Sequence, residues 1–532
     1  MKRLALFSIL FAMVAGALPA AERTKPNILV ILADDLGFSD LGCYGSDIAT
    51  PNLDRLAANG LRFSQFYNTA RCWPTRSALM TGYYAQQIRM DPPKGKLPEW
   101  ARTLPQWLKP AGYRCYHSGK WHVSGAPDPR IQGGFDHSYE IEGGQHNYFK
   151  ASGVHEDGKQ LPDQSGFYVT IGAADHAIRC LKEHAEKYSS QPFFEYLAFT
   201  APHFPLHALS EDIARYKDRY LKGWDEVREE RLKNLRQMGI VNCELSPLET
   251  DFTPRYFKPS VLHTLGPGEI EHPVPWATLT DEQKQFQATK MAIHAAMIDR
   301  MDREIGRVLE QVRVMGAWDN TIVFFLSDNG TDATIMVRGG GHDSSAPPGS
   351  EKTFLCLGPG WSSAGNAPFR RHKIWTHEGG ISTPLIVHWP KGIAAKGELR
   401  HDVGHVVDFV PTLLDVAGVK PELAAGMPPL PGRSLVPAFA KDGRVTRDCV
   451  FFHHEGNRAL RMGDYKLVSA REDKDAWELF DLATDRGEQH NLAAKQPERV
   501  RAMAARWQEL QAQFERDAGK AEPGAKTVKK GK

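Results

Sequence analysis

Asn27-Ile28-Leu29-Val30-Ile31-Leu32-Ala33-Asp34-Asp35 is the stretch on which the reading of the fold turns. An unbroken apolar run rich in branched side chains predicts a strand buried on both faces, the environment of a parallel sheet covered by helices. Two carboxylates end it. The same texture recurs at Pro192 to Phe199, which runs into Thr200-Ala201-Pro202-His203, and at Thr321 to Ser327, which ends in Asp328-Asn329-Gly330. Tyr113 to Ser118 predicts a short strand ahead of Gly119-Lys120-Trp121-His122, and Leu385-Ile386-Val387-His388 a further one.

Helical signals alternate with these strands. Thr50-Pro51 opens a helix through Leu53 and Leu56 that closes at Gly60. Thr103 to Gly112 and residues 170–188 read as helices. Met297, Met301, Ile305, Val308 and Val312 form the apolar stripe of an amphipathic helix ending at Gly316. Residues 210–275 are polar and irregular, an excursion of helices and loops. The alternation predicts an α/β fold with a large mixed, mainly parallel sheet flanked by helices. From about residue 441 the strands shorten and alternate, as in Tyr465 to Val468 and Trp477 to Asp481, before a helix from Pro497 to Phe514. We therefore expect a catalytic domain over 22–440 and a smaller α+β C-terminal domain over 441–518.

Lys2 and Arg3 precede an apolar run from Leu4 to Leu18 and then Pro19-Ala20-Ala21, the pattern of a cleavable signal peptide over 1–21. No later stretch is apolar enough to span a membrane, so the expected product is an exported chain, periplasmic or extracellular. Without Lys2 and Arg3 the basic count falls from 66 to 64, equal to the 64 acidic residues. Near-neutrality argues against a nucleic-acid surface. Residues 519–532 read as a disordered basic tail. The seven cysteines are scattered without zinc-type spacing, and an odd number leaves at least one unpaired.

Cys72-Trp73-Pro74-Thr75-Arg76-Ser77-Ala78-Leu79-Met80-Thr81-Gly82 holds the candidate chemistry. Pro74 suits a first helical turn, which puts Cys72 at a helix N-terminus, an end that favours anions. Arg76, one turn on, shares its face. Taken alone, Cys72 reads as a small buried hydrophobe, Asp328-Asn329-Gly330 as a turn, and Asp34-Asp35 as a solvated strand end. Taken together, Asp34, Asp35, Asp328 and Asn329 offer oxygens at the carboxyl ends of strands, where ligands of parallel sheets bind, and suit a hard cation. Lys120, His122, His203 and Lys373 would complete an anion pocket able to neutralise a tetrahedral oxyanion and protonate a leaving oxygen.

These stretches, with Thr50-Pro51-Asn52-Leu53-Asp54, His377-Glu378-Gly379-Gly380, Asp408 to Thr412 and Glu478 to Leu482, resemble in order the formylglycine-dependent (type I) sulfatases of the alkaline-phosphatase superfamily. The Gly358 to Pro390 stretch looks like bacterial arylsulfatases. The resemblance implies an alkaline-phosphatase-like fold and hydrolysis of aryl sulfates or sulfated carbohydrates. It implies Ca²⁺, in preference to Mg²⁺, on Asp34, Asp35, Asp328, Asn329 and residue 72. Cys72 would be oxidised to formylglycine by a maturation enzyme, and the hydrated aldehyde would attack sulfur. Arg76 and Lys120 would hold residue 72, His122 would act as base, and His203 and Lys373 would bind the sulfate ester, one of them protonating the leaving oxygen. Trp73 and Val123 depart from the usual pattern without touching the chemistry. His377 receives no role; pocket lining and a surface loop are both open. The competing functions are a phosphomonoesterase or phosphodiesterase of the same superfamily, and a non-catalytic secreted glycan-binding protein in which Cys72 stays a thiol.

Overall fold

The computed structural model describes residues 25–91, 95–338, 341–424, 426–473 and 476–519. The expected signal peptide and the tail beyond Gly519 lie outside them. Among the described residues one large sheet contains β1 (Asn27–Ala33), β2 (Leu61–Tyr67), β3 (Arg114–Lys120), β4 (His137–Ile141), β5 (Val154–Glu156), β6 (Lys159–Gln160), β7 (Phe193–Ala198), β8 (Thr321–Ser327), β9 (Ser382–His388), β10 (Glu398–Arg400) and β11 (Gly404–His405). Its order is β10-β2-β9-β8-β1-β7-β3-β4-β5-β6, with β11 also on β2. β8, β1, β7, β3 and β4 run parallel, while β9 lies antiparallel between β8 and β2, so the sheet is mixed and mainly parallel as expected.

Both faces of β1 are buried, and the period of two assigns its residues to two cores. Leu29, Ile31 and Ala33 pack with the helices Val169–Lys187 and Asp281–Val314. Ile28, Val30 and Leu32 pack on the other face with α2 (Cys72–Thr81) and the helix Phe409–Val416. The expected strand at Tyr113 to Ser118 extends to Lys120, which places that lysine at the strand end.

The sequence reading missed β2, β4, β5, β6, β10 and β11 and placed the start of one helix too late. β2 escaped it because the register shifts between Phe63 and Phe66, which breaks the alternation that marks a half-buried strand. The helix carrying Met297 begins far upstream, at Asp281. Thr280 Oγ1 accepts from the Gln283 N–H (3.2 Å) and Gln283 Oε1 accepts from the Thr280 N–H (3.0 Å), a reciprocal cap that precedes the apolar stripe.

The C-terminal strands β12 (Val450–His454), β13 (Asn457–Met462), β14 (Tyr465–Ser469) and β15 (Glu478–Asp481) form a separate antiparallel sheet, followed by the helix Pro497–Ala518. Phe451, Leu460, Leu467 and Leu479 join the same core as Leu32 and Phe409. A buried ionic cluster adds to this contact. Glu378 accepts from Tyr67 (3.0 Å) and pairs with Lys466 (3.0 Å) and Arg486 (3.1 Å), and Lys466 also pairs with Glu488 (2.8 Å). His377 and Glu378 are fully buried, so this segment is not a surface loop. A Cβ on Gly330 would come 1.9 Å from the Gly379 carbonyl, and one on Gly380 1.9 Å from that of Trp375. The glycines of this motif serve close backbone approach.

Glu195, in the centre of β7, is fully buried, and burial pushes its pKa up to about 8, with the Ser118 hydroxyl only partly opposing. The folded chain keeps a proton that the unfolded chain releases above the ordinary 4.5. Its stabilising contribution is therefore complete below that value and is lost as pH rises towards 8. Glu195→Gln should gain on the parent by about 1.4 kcal/mol per pH unit across this window. Denaturant melts across the window check this; parallel curves for the two proteins would contradict it.

Candidate active site

Four neighbouring parallel strands, in spatial order β8, β1, β7 and β3, deliver their carboxyl ends to one place. Register pairs Ala33 with Ser327, so Asp34-Asp35 and Asp328-Asn329 emerge side by side. Asp35 N–H donates to Asp328 Oδ1 (3.3 Å), and Asn329 Nδ2 donates to Asp35 Oδ1 (2.6 Å). β7 leads to His203 and β3 ends at Lys120.

β2 leads into α2, whose first residue is Cys72. Arg71 is the N-cap with extended backbone, its carbonyl accepting from the Thr75 N–H (3.1 Å), and Gly82 at φ 78° ends the helix. Pro74 falls in the first turn, as its spacing predicts. One turn on, the fully buried Arg76 donates from Nε to Asp328 Oδ2 (2.9 Å) and from Nη1 to the Lys120 carbonyl (2.8 Å).

Each carboxylate of β1 gives one oxygen to a lysine and keeps the other for something else. Asp34 Oδ2 binds Lys120 Nζ, while its Oδ1 has no hydrogen-bond partner. Asp35 Oδ1 binds Lys373 Nζ at 2.5 Å, while its Oδ2 meets only His203 Nε2 at 3.4 Å. The buried Asn329 Oδ1 is also unpartnered. Ligand atoms of Asp34, Asp35 and His203 all lie within 4.8 Å of one another. Buried oxygens left without donors are costly, and a hard divalent cation satisfies them. The donor set therefore fits the metal inferred from the sequence.

The electrostatics agree. Burial would raise Asp34, yet the Lys120 ammonium, with Arg76, holds it below the usual carboxylate range. Asp328 moves the other way: burial and the Asp34 charge push it up to about 7, despite Arg76. Burial and the nearby Lys373 ammonium push His203 well below the ordinary histidine value. Its Nδ1–H is committed to the Phe204 carbonyl (2.6 Å), so Nε2 faces Asp35. Asp35 and Asp332 hold Lys373 above the ordinary lysine value against its burial.

Cys72, His122, His203 and Lys373 line a cleft of about 470 Å³. Arg76 and Lys120 stand behind it, fully buried. Cys72 is buried; in a formylglycine its Cβ would be the aldehyde carbon, and its Sγ holds the place of the aldehyde oxygen. His122 adopts φ 50° and meets the Trp73 ring edge-on, with centroids 6.0 Å apart. The seven cysteines are all unpaired. Every residue singled out from the sequence thus gathers here. Three contributors were not: Asp332, 3.5 Å from Lys373 Nζ; the Gly144 carbonyl, which accepts from Lys120 (2.8 Å); and Arg71 on the cleft wall. Asp332 was findable, being three residues past Asn329 on the same strand exit. The other two carry no local signal.

A parallel sheet with buried carboxylates that fit a cation, buried lysines and a cysteine at a helix N-terminus is an arrangement suited to hydrolysis of tetrahedral oxyanion esters. The family described as Sulfatase matches residues 26–419, and the N-sulphoglucosamine sulphohydrolase C-terminal family matches residues 370–515. The chain is 32% identical over 540 residues to an uncharacterized sulfatase of Schizosaccharomyces pombe, covering 92% of this chain and 93% of that protein. It is 32% identical over 468 residues to the arylsulfatase of Klebsiella aerogenes, covering 81% and 95%. The crystal structure of Ps i-CgsB with a neocarrahexaose shares the fold, with a TM-score of 0.64, 24% identity and coverage of 93% and 94%. The chain belongs to the sulfatase family and is a sulfuric ester hydrolase, and that family implies a formylglycine and a divalent metal.

Chelation should lower the melting temperature and re-addition of cation should restore it. At a cation concentration a hundred times Kd the gain is about 2.7 kcal/mol. Asp35→Ala should melt alike with and without cation in the same calorimetric scans. A parent protein whose melting ignores chelator and cation would contradict the assignment.

Proposed function

We propose that this protein is an exported sulfatase that hydrolyses sulfate monoesters of phenols or sugars, using Ca²⁺ and a formylglycine formed from Cys72 by a maturation enzyme. The observation that carries the reading is the trio of unpartnered buried oxygens on Asp34, Asp35 and Asn329, beside a cysteine at a helix N-terminus. Asp34, Asp35, Asp328 and Asn329, with residue 72, would hold the cation. An all-protein set of oxygens from several chain segments suits Ca²⁺ better than Mg²⁺, which keeps more of its water. When bound, the cation supplies Lewis acidity. When formed, the hydrated aldehyde at residue 72 supplies both the attacking hydroxyl and a second hydroxyl through which sulfate can leave.

The chain's own residues do the rest. Arg76, locked between Asp328 and the Lys120 carbonyl, fixes the first turn of α2 and so the orientation of residue 72. Lys120, anchored to Asp34 and the Gly144 carbonyl, supports residue 72 from behind the cleft. Lys373, between Asp35 and Asp332, presents positive charge to the sulfate oxygens. His203 is held by Phe204 so that only Nε2 can meet the substrate; the negative charge of a bound sulfate ester favours its imidazolium form, from which it, or else Lys373, protonates the leaving oxygen. His122, which lines the same cleft, takes a proton from the residue-72 hydroxyl.

Export rests on residues 1–21. No helix among the described residues is long and apolar enough to cross a membrane. The arylsulfatase relative on one side, and the N-acetylglucosamine-6-O-sulfatase relative of Bacteroides thetaiotaomicron on the other, bring phenol and sugar sulfates equally into range.

A peptide mass spectrum across residue 72, on protein from its own host, should show the thiol replaced by an aldehyde. Cys72→Ala should lose about 10³-fold or more in kcat on 4-nitrophenyl sulfate while melting normally. The parent should prefer that ester to 4-nitrophenyl phosphate. Full activity with an unmodified thiol, or in Cys72→Ala, would overturn the mechanism, and a preference for phosphate would restore the phosphatase alternative.

A further inference from the structure

The cations of the active site divide into two groups. Arg76, Lys120 and Lys373 each pair with a carboxylate within 4.0 Å. Arg71, on the wall of the same cleft, has no carboxylate within that distance among the described residues, and its buried Nε and Nη1 have no hydrogen-bond partner. Cys72 and Tyr256, with Asp332 and Glu455 beyond ion-pair range, hold it above the ordinary arginine value against its burial. Arg71 is itself only partly buried, so these donors border the cleft and are open to an anion that enters it.

Arg71 is also deliberately held. Its guanidinium carbon lies 5.1 Å from the centroid of the Trp73 ring and 5.9 Å from that of Tyr256. Such contacts position a cation without neutralising it. Tyr256 comes from the irregular excursion and has φ 66°, a left-handed backbone that a bulky residue adopts only under constraint. Its hydroxyl donates to Glu455 of the C-terminal sheet (3.2 Å), which also binds Arg255 (2.7 Å). Three distant segments thus cooperate to fix one guanidinium without an ion-pair partner next to residue 72.

We propose that Arg71 recognises a second anionic group on the substrate, a carboxylate or another sulfate adjacent to the ester that is cleaved. The preferred substrate class is then a sulfated saccharide carrying more than one negative charge, such as a uronate-containing or multiply sulfated sugar, rather than a simple aryl sulfate. The transferred sulfate is served by the paired cations deeper in the cleft. The guanidinium fork suits a planar or tetrahedral oxyanion in bidentate contact. The inference rests on the sulfate-ester reading of the cleft.

The test compares 4-nitrophenyl sulfate with its 2-carboxy derivative, which adds one anion beside the ester. The wild-type rate on the plain ester reports the sulfatase reading, and the ratio of kcat/KM between the two esters reports Arg71, so either can fail alone. Arg71→Met should lose about 10- to 100-fold more on the carboxylated ester than on the plain one, mainly in KM. Arg71→Lys, which keeps the charge but not the fork, should recover part of the difference. Calorimetric binding of both esters to Cys72→Ala protein, with and without Arg71→Met, gives the same comparison without turnover and in a chain whose folding is checked by its melt. Equal losses on the two esters, a larger loss on the plain ester, or no loss at all would overturn the proposal.

Discussion

The parallel pairing of β1 with β8 is the constraint on which the site depends. Aligning Ala33 with Ser327 forces Asp34 and Asp328 to leave adjacent strands together, in a region with no access to water. Like charges in that setting repel strongly, and Asp328 shows it, pushed up to about 7 by burial and by Asp34. The fold answers with cations that no solvent could replace. Arg76 reaches both carboxylates from α2, and Lys120 reaches Asp34 from the end of β3. The placement of α2 over the strand ends is thus a requirement of electrostatic balance as well as of packing.

That balance is deliberately incomplete. Arg76, Lys120 and Lys373 match the charges of Asp34, Asp35 and Asp328, yet one oxygen each of Asp34, Asp35 and Asn329 is left without a donor. A cluster built for stability alone would satisfy these atoms, since an unmet buried acceptor costs about 1–3 kcal/mol. Here the unmet acceptors point to a cation as the missing partner. Such a cation would give the cleft the surplus positive charge that a sulfate ester needs.

The parts of this arrangement legible in the sequence were those with local signals. Apolar runs ending in acid–acid or acid–amide pairs announced β1 and β8, and the Cys72 to Gly82 pattern announced α2. β2 was not legible, because its bulge between Phe63 and Phe66 erases the period of two. The start of the helix at Asp281 was masked because its first turns carry no apolar stripe. His377 was read as surface or pocket lining because nothing local reveals that Glu378 beside it meets Lys466 and Arg486 across the interface. Arg71 was passed over for the same reason: its significance comes from Tyr256 and Glu455, which only the folded chain brings near.

The segment from Arg71 to Arg76 therefore separates two tasks on one helical turn. Arg76 points inward, spends its donors on Asp328 and the Lys120 carbonyl, and can move little without exposing a buried charge. Arg71, at the N-cap, lies over the Trp73 and Tyr256 rings on the cleft wall and forms no ion pair within 4.0 Å among the described residues. Between them stands residue 72. Chemistry that must be exact is tied to the rigid sheet through β1, β3 and β8. Recognition of the rest of the substrate falls to a residue held by a loop and by the C-terminal sheet, parts that can change without disturbing the carboxylates. The C-terminal sheet thereby acts twice: it buries Glu378 beneath the Lys373 loop, and through Glu455 it sets the wall that a substrate must pass.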